Sequence, residues 1–143
     1  MRWAGSISKP EVISLPIAEL YARAATRRDA ETILRPGDVI ESIAIPARYA
    51  GARQAYLKTA QREMFDFALV SVCVVWPKRG AAAPRIVLGG VAPAPYEVTV
   101  RESGKGKRWA AAVAQAAVAD AKPMTQNGYK VEIARNLIRD ALG

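Results

Sequence analysis

The stretch from Tyr56 to Trp76 constrains the fold more than any other part of the sequence. Its second half, from Phe67 onward, is almost entirely apolar and rich in valine, and Pro77 ends it. The run is too short to cross a bilayer and is bounded by residues typical of turns. This pattern predicts a strand buried on both faces of a sheet, which the remaining elements must cover.

Charged residues cluster directly before that strand. Lys58, Arg62 and Glu63 precede the apolar run, and Asp66 is the only charge between Glu63 and Pro77. Binding residues are often carried on loops that a rigid scaffold positions, so the cluster suits a binding site. A solvated loop that leads into the strand explains the same pattern, and both interpretations stay open at this point.

Length and composition limit the class of protein. With 143 residues, 51% of them hydrophobic, the chain can bury a core and corresponds to one domain, or to one domain and a fragment of another. No window has the length and hydropathy of a transmembrane span, and the N-terminal residues lack the apolar region of a secretory signal. We therefore expect a cytoplasmic protein without a membrane partner.

Several kinds of site are excluded by missing residue types. The chain has no histidine, so it cannot form a Ser-His-Asp or Cys-His arrangement or a histidine metal site. Its single cysteine, Cys73, excludes an internal disulfide and a zinc or iron–sulfur site built from its own thiolates. Cys73 lies in the valine-rich run, where we expect a small buried hydrophobe. No catalytic and no metal-binding residue is predicted.

The net charge of +8 is unevenly distributed. Residues 1–46 carry six basic and six acidic side chains, whereas residues 47–143 carry the other 15 basic and seven acidic ones. Such a balance attracts phosphates, nucleic acid or an acidic partner, and it also promotes solubility alone. Because the basic residues are interspersed with alanine and not with aromatic residues, we expect no nucleic-acid partner. The basic segment 103–108 lacks the spacing of a Walker motif.

Periodicity and turn residues predict helices towards both ends of the chain and strands between them. Ser14 is expected to cap the first helix, with Pro16 in its first turn, and the later helices cover 108–121 and 129–142. Pro36 and Gly37 indicate a type II turn. The predicted strands are Thr32–Leu34, Val39–Ile45, Arg53–Lys58, Phe67–Trp76, Arg85–Val91 and Tyr96–Val100.

The order of these elements predicts the fold class. Strands and helices are segregated along the chain, which is typical of an α+β fold: an antiparallel sheet of three to four strands with helices packed on one side. Gly89 and Gly90 lie within one of the strands and indicate a bulge or a close approach of the backbone. Tight packing and the approach of a ligand both explain such a pair.

Five groups of residues occur in a characteristic order. They are Glu31–Ile40; Ile43–Pro46; Tyr56–Lys58 with Arg62–Glu63 and Phe67–Val72; Leu88–Pro95; and Ala121–Pro123 with Asn127–Val131. In this order they resemble the C-terminal part of the FAD-binding medium subunit of molybdenum hydroxylases. That family includes xanthine dehydrogenase, aldehyde oxidoreductase and carbon monoxide dehydrogenase. The resemblance extends from about Ile13 to Leu142.

The resemblance implies a cofactor and site residues. In the family, FAD binds between an N-terminal pair of α/β subdomains and the C-terminal domain, and it passes electrons from [2Fe–2S] clusters to an acceptor. The family's flavin contacts correspond here to Lys58 and to the backbone near Ile40. A lysine at the rim of a sheet can stabilise reduced, anionic flavin. Arg62, Glu63 and Asp66 would shape the same wall by their position.

The resemblance also sets the expected domains and partners. The chain lacks the glycine-rich loops that bind the FAD pyrophosphate in the family. Residues 1–50 are therefore expected to be the tail end of the FAD-binding subdomain region, and residues 51–143 the flavoprotein C-terminal domain. FAD is expected to bind only with a partner chain that supplies the N-terminal flavin-binding subdomains. The other implied partners are the molybdopterin-binding large subunit and the [2Fe–2S] small subunit.

Two functions remain open. The first is the C-terminal part of the flavin subunit of a molybdenum hydroxylase-type oxidoreductase, which forms one wall of the FAD site and is not catalytic alone. The ordered motifs favour it. The alternative is a non-catalytic protein-interaction module, or a truncated remnant of the same fold, that binds no flavin alone. The missing glycine-rich loops favour this second function.

Overall fold

The computed structural model describes residues 11–21, 30–62, 65–78, 83–101 and 103–143. The chain divides into two compact units, Met1–Asp38 and Val39–Gly143. The functional division after residue 50 remains a prediction. The charged residues 27–29 also predict a loop after the first helix, and they lie outside the described residues.

The first unit contains a single short helix among its described residues. Helix α1 spans Ile17–Leu20, and the backbone N–H of Glu19 donates to the carbonyl of Pro16 at 2.9 Å. The prediction that Ser14 caps this helix is wrong. Pro16 itself occupies the capping position with an extended backbone, and it has no side-chain oxygen that could accept a hydrogen bond from the first turn.

The turn at Pro36–Gly37 forms as predicted, but the strands on either side of it do not. The N–H of Asp38 donates to the carbonyl of Arg35 at 3.0 Å, and Gly37 has the positive φ of +97° that a type II turn requires. Residues 31–33 bend, and residues 39–45 pair with no strand among the described residues. The strands predicted at Thr32–Leu34 and Val39–Ile45 are therefore wrong, since a strand exists only in a ladder.

The second unit is built on an antiparallel sheet. Its described residues form four strands, which are neighbours in space in the order in which they occur in the chain: β1 (Gln54–Ala60), β2 (Ala68–Val75), β3 (Arg85–Gly89) and β4 (Tyr96–Val98). All three strand pairs are antiparallel, and the register between β1 and β2 shifts between Thr59 and Ala60. The predicted α+β class is confirmed.

Two helices cover one face of this sheet. Helices α2 (Gly106–Ala117) and α3 (Tyr129–Leu142) pack on each other, and α3 contacts β1 and β2. The bounds of α3 are those predicted. None of the described helices has the length and apolar character needed to cross a membrane. The core is made of residues from the sheet and from both helices: Val70, Val72, Val74, Ile86, Leu88, Val98, Ala110, Ala114, Ala134, Ile138, Ala141 and Leu142.

Helix α2 begins two residues earlier and ends four residues earlier than predicted. At its start, Gly104 lies against the ring of Trp109, where an added Cβ would be 2.2 Å from Cδ1 of the indole. At its end, the N–H groups of Val118 and Ala119 donate three residues back, to Gln115 and Ala116, so the last turn tightens and the helix stops.

The sheet is buried fully on one face only, which corrects the prediction for the valine-rich strand. Val70, Val72 and Val74 of β2 are completely buried beneath the helices, whereas the alternate residues Ser71 and Cys73 are only half-buried. Side chains alternate along a strand, so the half-buried ones point away from the helices. We call this side the outer face. It carries Gln54, Tyr56, Lys58, Ser71, Cys73, Val75, Arg85, Val87, Gly89 and Glu97.

Gly90 directly follows β3 at a point of close packing. It has a φ of +75°, and a Cβ built on it would lie 2.7 Å from the carbonyl oxygen of Leu69. Its own carbonyl accepts a hydrogen bond from Nζ of Lys130 at 2.8 Å, which connects the first turn of α3 to the sheet. The predicted close approach at the glycine pair is confirmed, and its cause at Gly90 is packing between neighbouring strands.

Candidate functional site

One row of three residues crosses the outer face. It combines the cation of Lys58, the hydroxyl group of Ser71 and the bare backbone of Gly89. Lys58 of β1 pairs with Ser71 of β2, and Ser71 pairs with Gly89 of β3. A Cβ at Gly89 would lie 2.6 Å from Oγ of Ser71, so glycine leaves room there for the hydroxyl. Backbone without a side chain, next to a cation, suits the close approach of a planar, electron-rich ligand.

Lys58 occupies the position that the sequence predicts, at the rim of the sheet and not in the core. It lies on the edge strand β1, and its side chain is exposed. Its Nζ donates to the backbone carbonyl of Asp66 at 3.1 Å, which holds the ammonium group near the end of the β1–β2 hairpin. The positive charge is thus presented on the outer face.

Asp66 organises the loop of that hairpin. Its carboxylate is 16% exposed and accepts hydrogen bonds from the backbone N–H of Arg62 at 3.1 Å and of Phe67 at 3.0 Å. Phe65 has a positive φ of 50° and is 99% exposed, and Phe67 is 96% exposed. The structure therefore brings Lys58, Arg62 and Asp66 together, as predicted. Glu63 lies outside the described residues.

Ile40, the second predicted flavin contact, lies in a segment that precedes the sheet. The backbone of residues 38–46 forms no helix, strand, turn or bend, and Ile40 is 53% exposed. Among the described residues no hydrogen bond joins Ile40 to Lys58. The roles of both residues as flavin contacts remain predictions.

A second polar cluster, which sequence reasoning missed, lies on the outer face between β3 and β4. Arg85 binds Glu97 through two hydrogen bonds, Nε to Oε1 at 2.8 Å and Nη2 to Oε2 at 3.0 Å. Nη1 of Arg85 donates to the hydroxyl of Tyr49 at 2.5 Å, and the guanidinium of Arg48 lies 4.9 Å from the centre of the Tyr49 ring. Opposite charges on adjacent strands were the available signal, but their pairing depends on a register that the sequence does not reveal.

The electrostatics of this cluster follow from its contacts. Hydrogen bonding to Arg85 lowers the pKa of the Glu97 carboxyl. Hydrogen bonding first to Arg48 and then to Arg85 lowers the pKa of the Tyr49 phenol, and the bond to Glu97 raises the pKa of Arg85 further. Arg85 and Glu97 therefore both stay ionised over the neutral pH range, and the hydrogen bond from Arg85 holds Tyr49 to the sheet. In the described parts of the chain, no three His, Cys, Asp or Glu residues are grouped closely enough to hold a metal ion.

Comparison with known proteins identifies the relatives of this chain. It is 30% identical over 129 residues to the aldehyde oxidoreductase FAD-binding subunit PaoB of Escherichia coli strain K12. The chain is related to the flavoprotein subunits of the molybdenum hydroxylases. The predicted resemblance is therefore confirmed. The match covers 90% of this chain but 39% of PaoB, so the chain corresponds to only a part of such a subunit. No family model matches the sequence.

Solved structures show the same fold. A chain of carbon monoxide dehydrogenase from Hydrogenophaga pseudoflava superimposes with a TM-score of 0.55 at 28% identity, over 68% of this chain and 38% of that one. A chain of quinoline 2-oxidoreductase from Pseudomonas putida 86 gives a TM-score of 0.56 at 22% identity, over 70% of this chain and 37% of that one. The sheet with its helical layer on one side is thus a fold that this chain shares with both solved structures.

Proposed function

We propose that this chain is the C-terminal part of the flavin subunit of a molybdenum hydroxylase-type oxidoreductase, and that its outer face forms one wall of the FAD site. The observation that carries this proposal is the relation to PaoB, an FAD-binding subunit, over 90% of the chain. In this role the domain takes part in electron transfer from iron–sulfur clusters to an acceptor, and it is not catalytic alone.

The residues of the outer face suit the electron-rich edge of a flavin. Bound FAD would supply the electron-transfer chemistry. Lys58 would hold that edge, because its exposed ammonium group is fixed by the carbonyl of Asp66 at 3.1 Å. A nearby cation stabilises the negative charge that the ring gains on reduction. Ser71 and Gly89 place only a small side chain and bare backbone beside Lys58, and the backbone near Ile40 would complete the contact.

The partners in this proposal follow from the share of PaoB that is matched. The larger part of PaoB has no counterpart in the 143 residues, and the glycine-rich FAD loops are absent from them. We therefore propose that the N-terminal flavin-binding subdomains lie on polypeptide outside these residues, in a cytoplasmic complex with a molybdopterin-binding large subunit and a [2Fe–2S] small subunit.

The test is the flavin content of a reconstituted complex. The chain is co-produced with a polypeptide that carries the N-terminal flavin-binding subdomains, and the absorbance of the purified complex is measured in the flavin region. A yellow complex is expected. Lys58→Ala should reduce flavin retention and slow flavin reduction without changing the thermal melting temperature, because Lys58 is exposed on the edge strand. Lys107→Ala, at an exposed position on α2, should change neither flavin retention nor flavin reduction.

Two outcomes contradict the proposal. A complex that forms but is colourless excludes the flavin wall. Equal flavin content and equal reduction rates in the Lys58→Ala and Lys107→Ala variants would remove Lys58 from the site.

The alternative is a non-catalytic interaction module of the same fold. The observation that favours it is the absence of glycine-rich FAD loops from the 143 residues. Adjacent reading frames that encode the missing flavin loops, a molybdopterin subunit or an iron–sulfur subunit would support the first function, and their absence would favour the module.

A further inference from the structure

A groove lies on the helical side of the sheet, between α2 and the edge strand β4. Helix α3 contacts β1 and β2, whereas the main contact of α2 is with α3. The half of the sheet formed by β3 and β4 is therefore covered less closely, and a groove of about 850 Å³ remains beside α2. Its lining residues come from β3, β4, α2, the loop 118–128 and the start of α3.

The walls of this groove are apolar. Leu88 of β3 and Val98 of β4 belong to the core and line the groove at its base. Tyr96 lies on the same face of β4 as Val98, because side chains alternate along a strand, yet it is 48% exposed. Trp109 and Val113 line the groove from α2 and are half-buried. The core is thus open to solvent at this end of the sheet.

Basic residues border the groove. Arg101, Lys122 and Lys130 line it, and Asp120 is the acidic residue among them. Nζ of Lys130 donates to the carbonyl of Gly90 at 2.8 Å. A carbonyl has no net charge, so this hydrogen bond positions the ammonium group without cancelling its charge. The lining is therefore positively charged and attracts anions.

We propose that this groove binds a small organic carboxylate with an apolar ring or chain. Sites for small molecules are usually clefts of roughly 300–1,000 Å³, lined mainly by apolar side chains with a few polar groups, and this groove has that size and composition. The apolar body of the ligand would lie against Trp109 and Val98. Lys122 and Lys130 would bind the carboxylate through charge-assisted hydrogen bonds.

A second copy of this chain is a poorer occupant. Residues 47–143 carry 15 basic and seven acidic side chains, which accounts for the whole net charge of +8. Two units of this charge repel each other at low ionic strength, whereas the same charge attracts a small anion.

The test is a titration with 2-naphthoate, and with the uncharged 2-naphthalenemethanol as its matched control. Isothermal titration calorimetry should show one naphthoate bound per chain, with an affinity that falls as salt is added. The neutral alcohol should bind at least about tenfold more weakly, because it lacks the carboxylate. In a ¹⁵N-labelled chain, the indole N–H signal of Trp109 should shift more than those of the other two tryptophans, since Trp109 lines the groove.

Two pairs of substitutions locate the bound ligand. Ala111 and Ala116 are both exposed on α2, and Ala116 lines the groove while Ala111 lies outside it. Ala116→Phe should fill the groove and weaken naphthoate binding at least about tenfold, whereas Ala111→Phe should leave it within about twofold. Lys122→Gln should weaken the binding of naphthoate but not of the alcohol, whereas Lys107→Gln, on the exposed side of α2, should change neither. Equal melting temperatures within each pair exclude an effect of misfolding.

Several outcomes overturn the inference. They are the absence of saturable naphthoate binding, equal affinity for the alcohol, and binding that is insensitive to Ala116→Phe. A dimer of the chain that Ala116→Phe dissociates would assign the groove to a second copy. Displacement of naphthoate by the part of PaoB that this chain does not match would assign it to a protein, and either result contradicts a small-molecule site.

The inference does not depend on the flavin wall. Lys58 lies on the outer face, whereas the groove lies on the helical side of the sheet. Lys58→Ala should therefore leave naphthoate binding unchanged. A loss of binding in this variant would place the ligand on the outer face and overturn the inference.

Discussion

Replacing Gly90 with alanine tests the packing at the end of β3. Two costs add at this position. A non-glycine residue in the left-handed region, here at a φ of +75°, costs about 1–2 kcal/mol. The new Cβ would also lie 2.7 Å from the carbonyl oxygen of Leu69 and 3.3 Å from that of Ala68. Both carbonyls belong to the chain at β2, where movement would disturb the buried valines, so we add about 1–3 kcal/mol for overpacking.

Gly106 provides the matched control. Its φ is +82°, but a Cβ there meets nothing within 4 Å. Gly106→Ala should therefore show only the conformational cost of about 1–2 kcal/mol, against about 2–5 kcal/mol for Gly90→Ala. Urea denaturation followed by far-UV circular dichroism gives both free energies of unfolding from the midpoints and slopes. Equal losses in the two variants would refute the claim that the carbonyl of Leu69 restricts this site.

The polar cluster on β3 and β4 gives two further predictions. Glu97→Gln should lower stability at pH 7 by no more than about 1 kcal/mol, because the side chains of Arg85 and Glu97 are 49% and 55% exposed. The pKa of Glu97 is lowered in the fold, so this contribution is present above the ordinary carboxyl pKa and is lost as the pH falls through the folded value. The gap in free energy of unfolding between the variant and the original chain should close as the pH falls below the ordinary carboxyl pKa, and a constant gap would contradict the assignment. In an alkaline absorbance titration Tyr49 should ionise before the other tyrosines, because its pKa is lowered. Arg48→Gln should move this early ionisation step to higher pH. If the step survives in Tyr49→Phe, it belongs to another residue.

The sequence predicted the second unit well, because its signals are local. The valine-rich run, the glycine pair and the periodic apolar stripe of α3 each determine one element by themselves. The number of buried faces on β2, by contrast, could not be read from the residues of that strand. The same valine-rich pattern serves a strand covered on one face or on two, and the sequence of β2 alone does not show that its covering helices lie on one side only.

The errors in the first fifty residues have a related cause. The segment 39–45 has the composition of a strand, but a strand also needs a neighbour, and none pairs with it in the described chain. Ser14 has the capping side chain that a helix start prefers, yet Pro16 sets the start of α1 closer to Ile17. In both cases the local preference was identified and the tertiary context decided the result.

The candidate site shows what a family resemblance adds and what it leaves out. The resemblance singled out Lys58, and the structure places it exposed at the sheet rim. The row that joins it to Ser71 and Gly89 depends on the registers of two strand pairs, and the contact of Arg85 with Glu97 depends on a third. No spacing within a single sequence encodes these registers.

The position of Cys73 has a practical consequence. The only sulfhydryl of the chain is half-buried at the middle of β2, flanked by two fully buried valines that point the other way. A maleimide dye coupled to it would therefore sit beside the Lys58 row without entering the hydrophobic interior. Its emission would report, in real time, whenever a cofactor or a protein covers that side of the sheet.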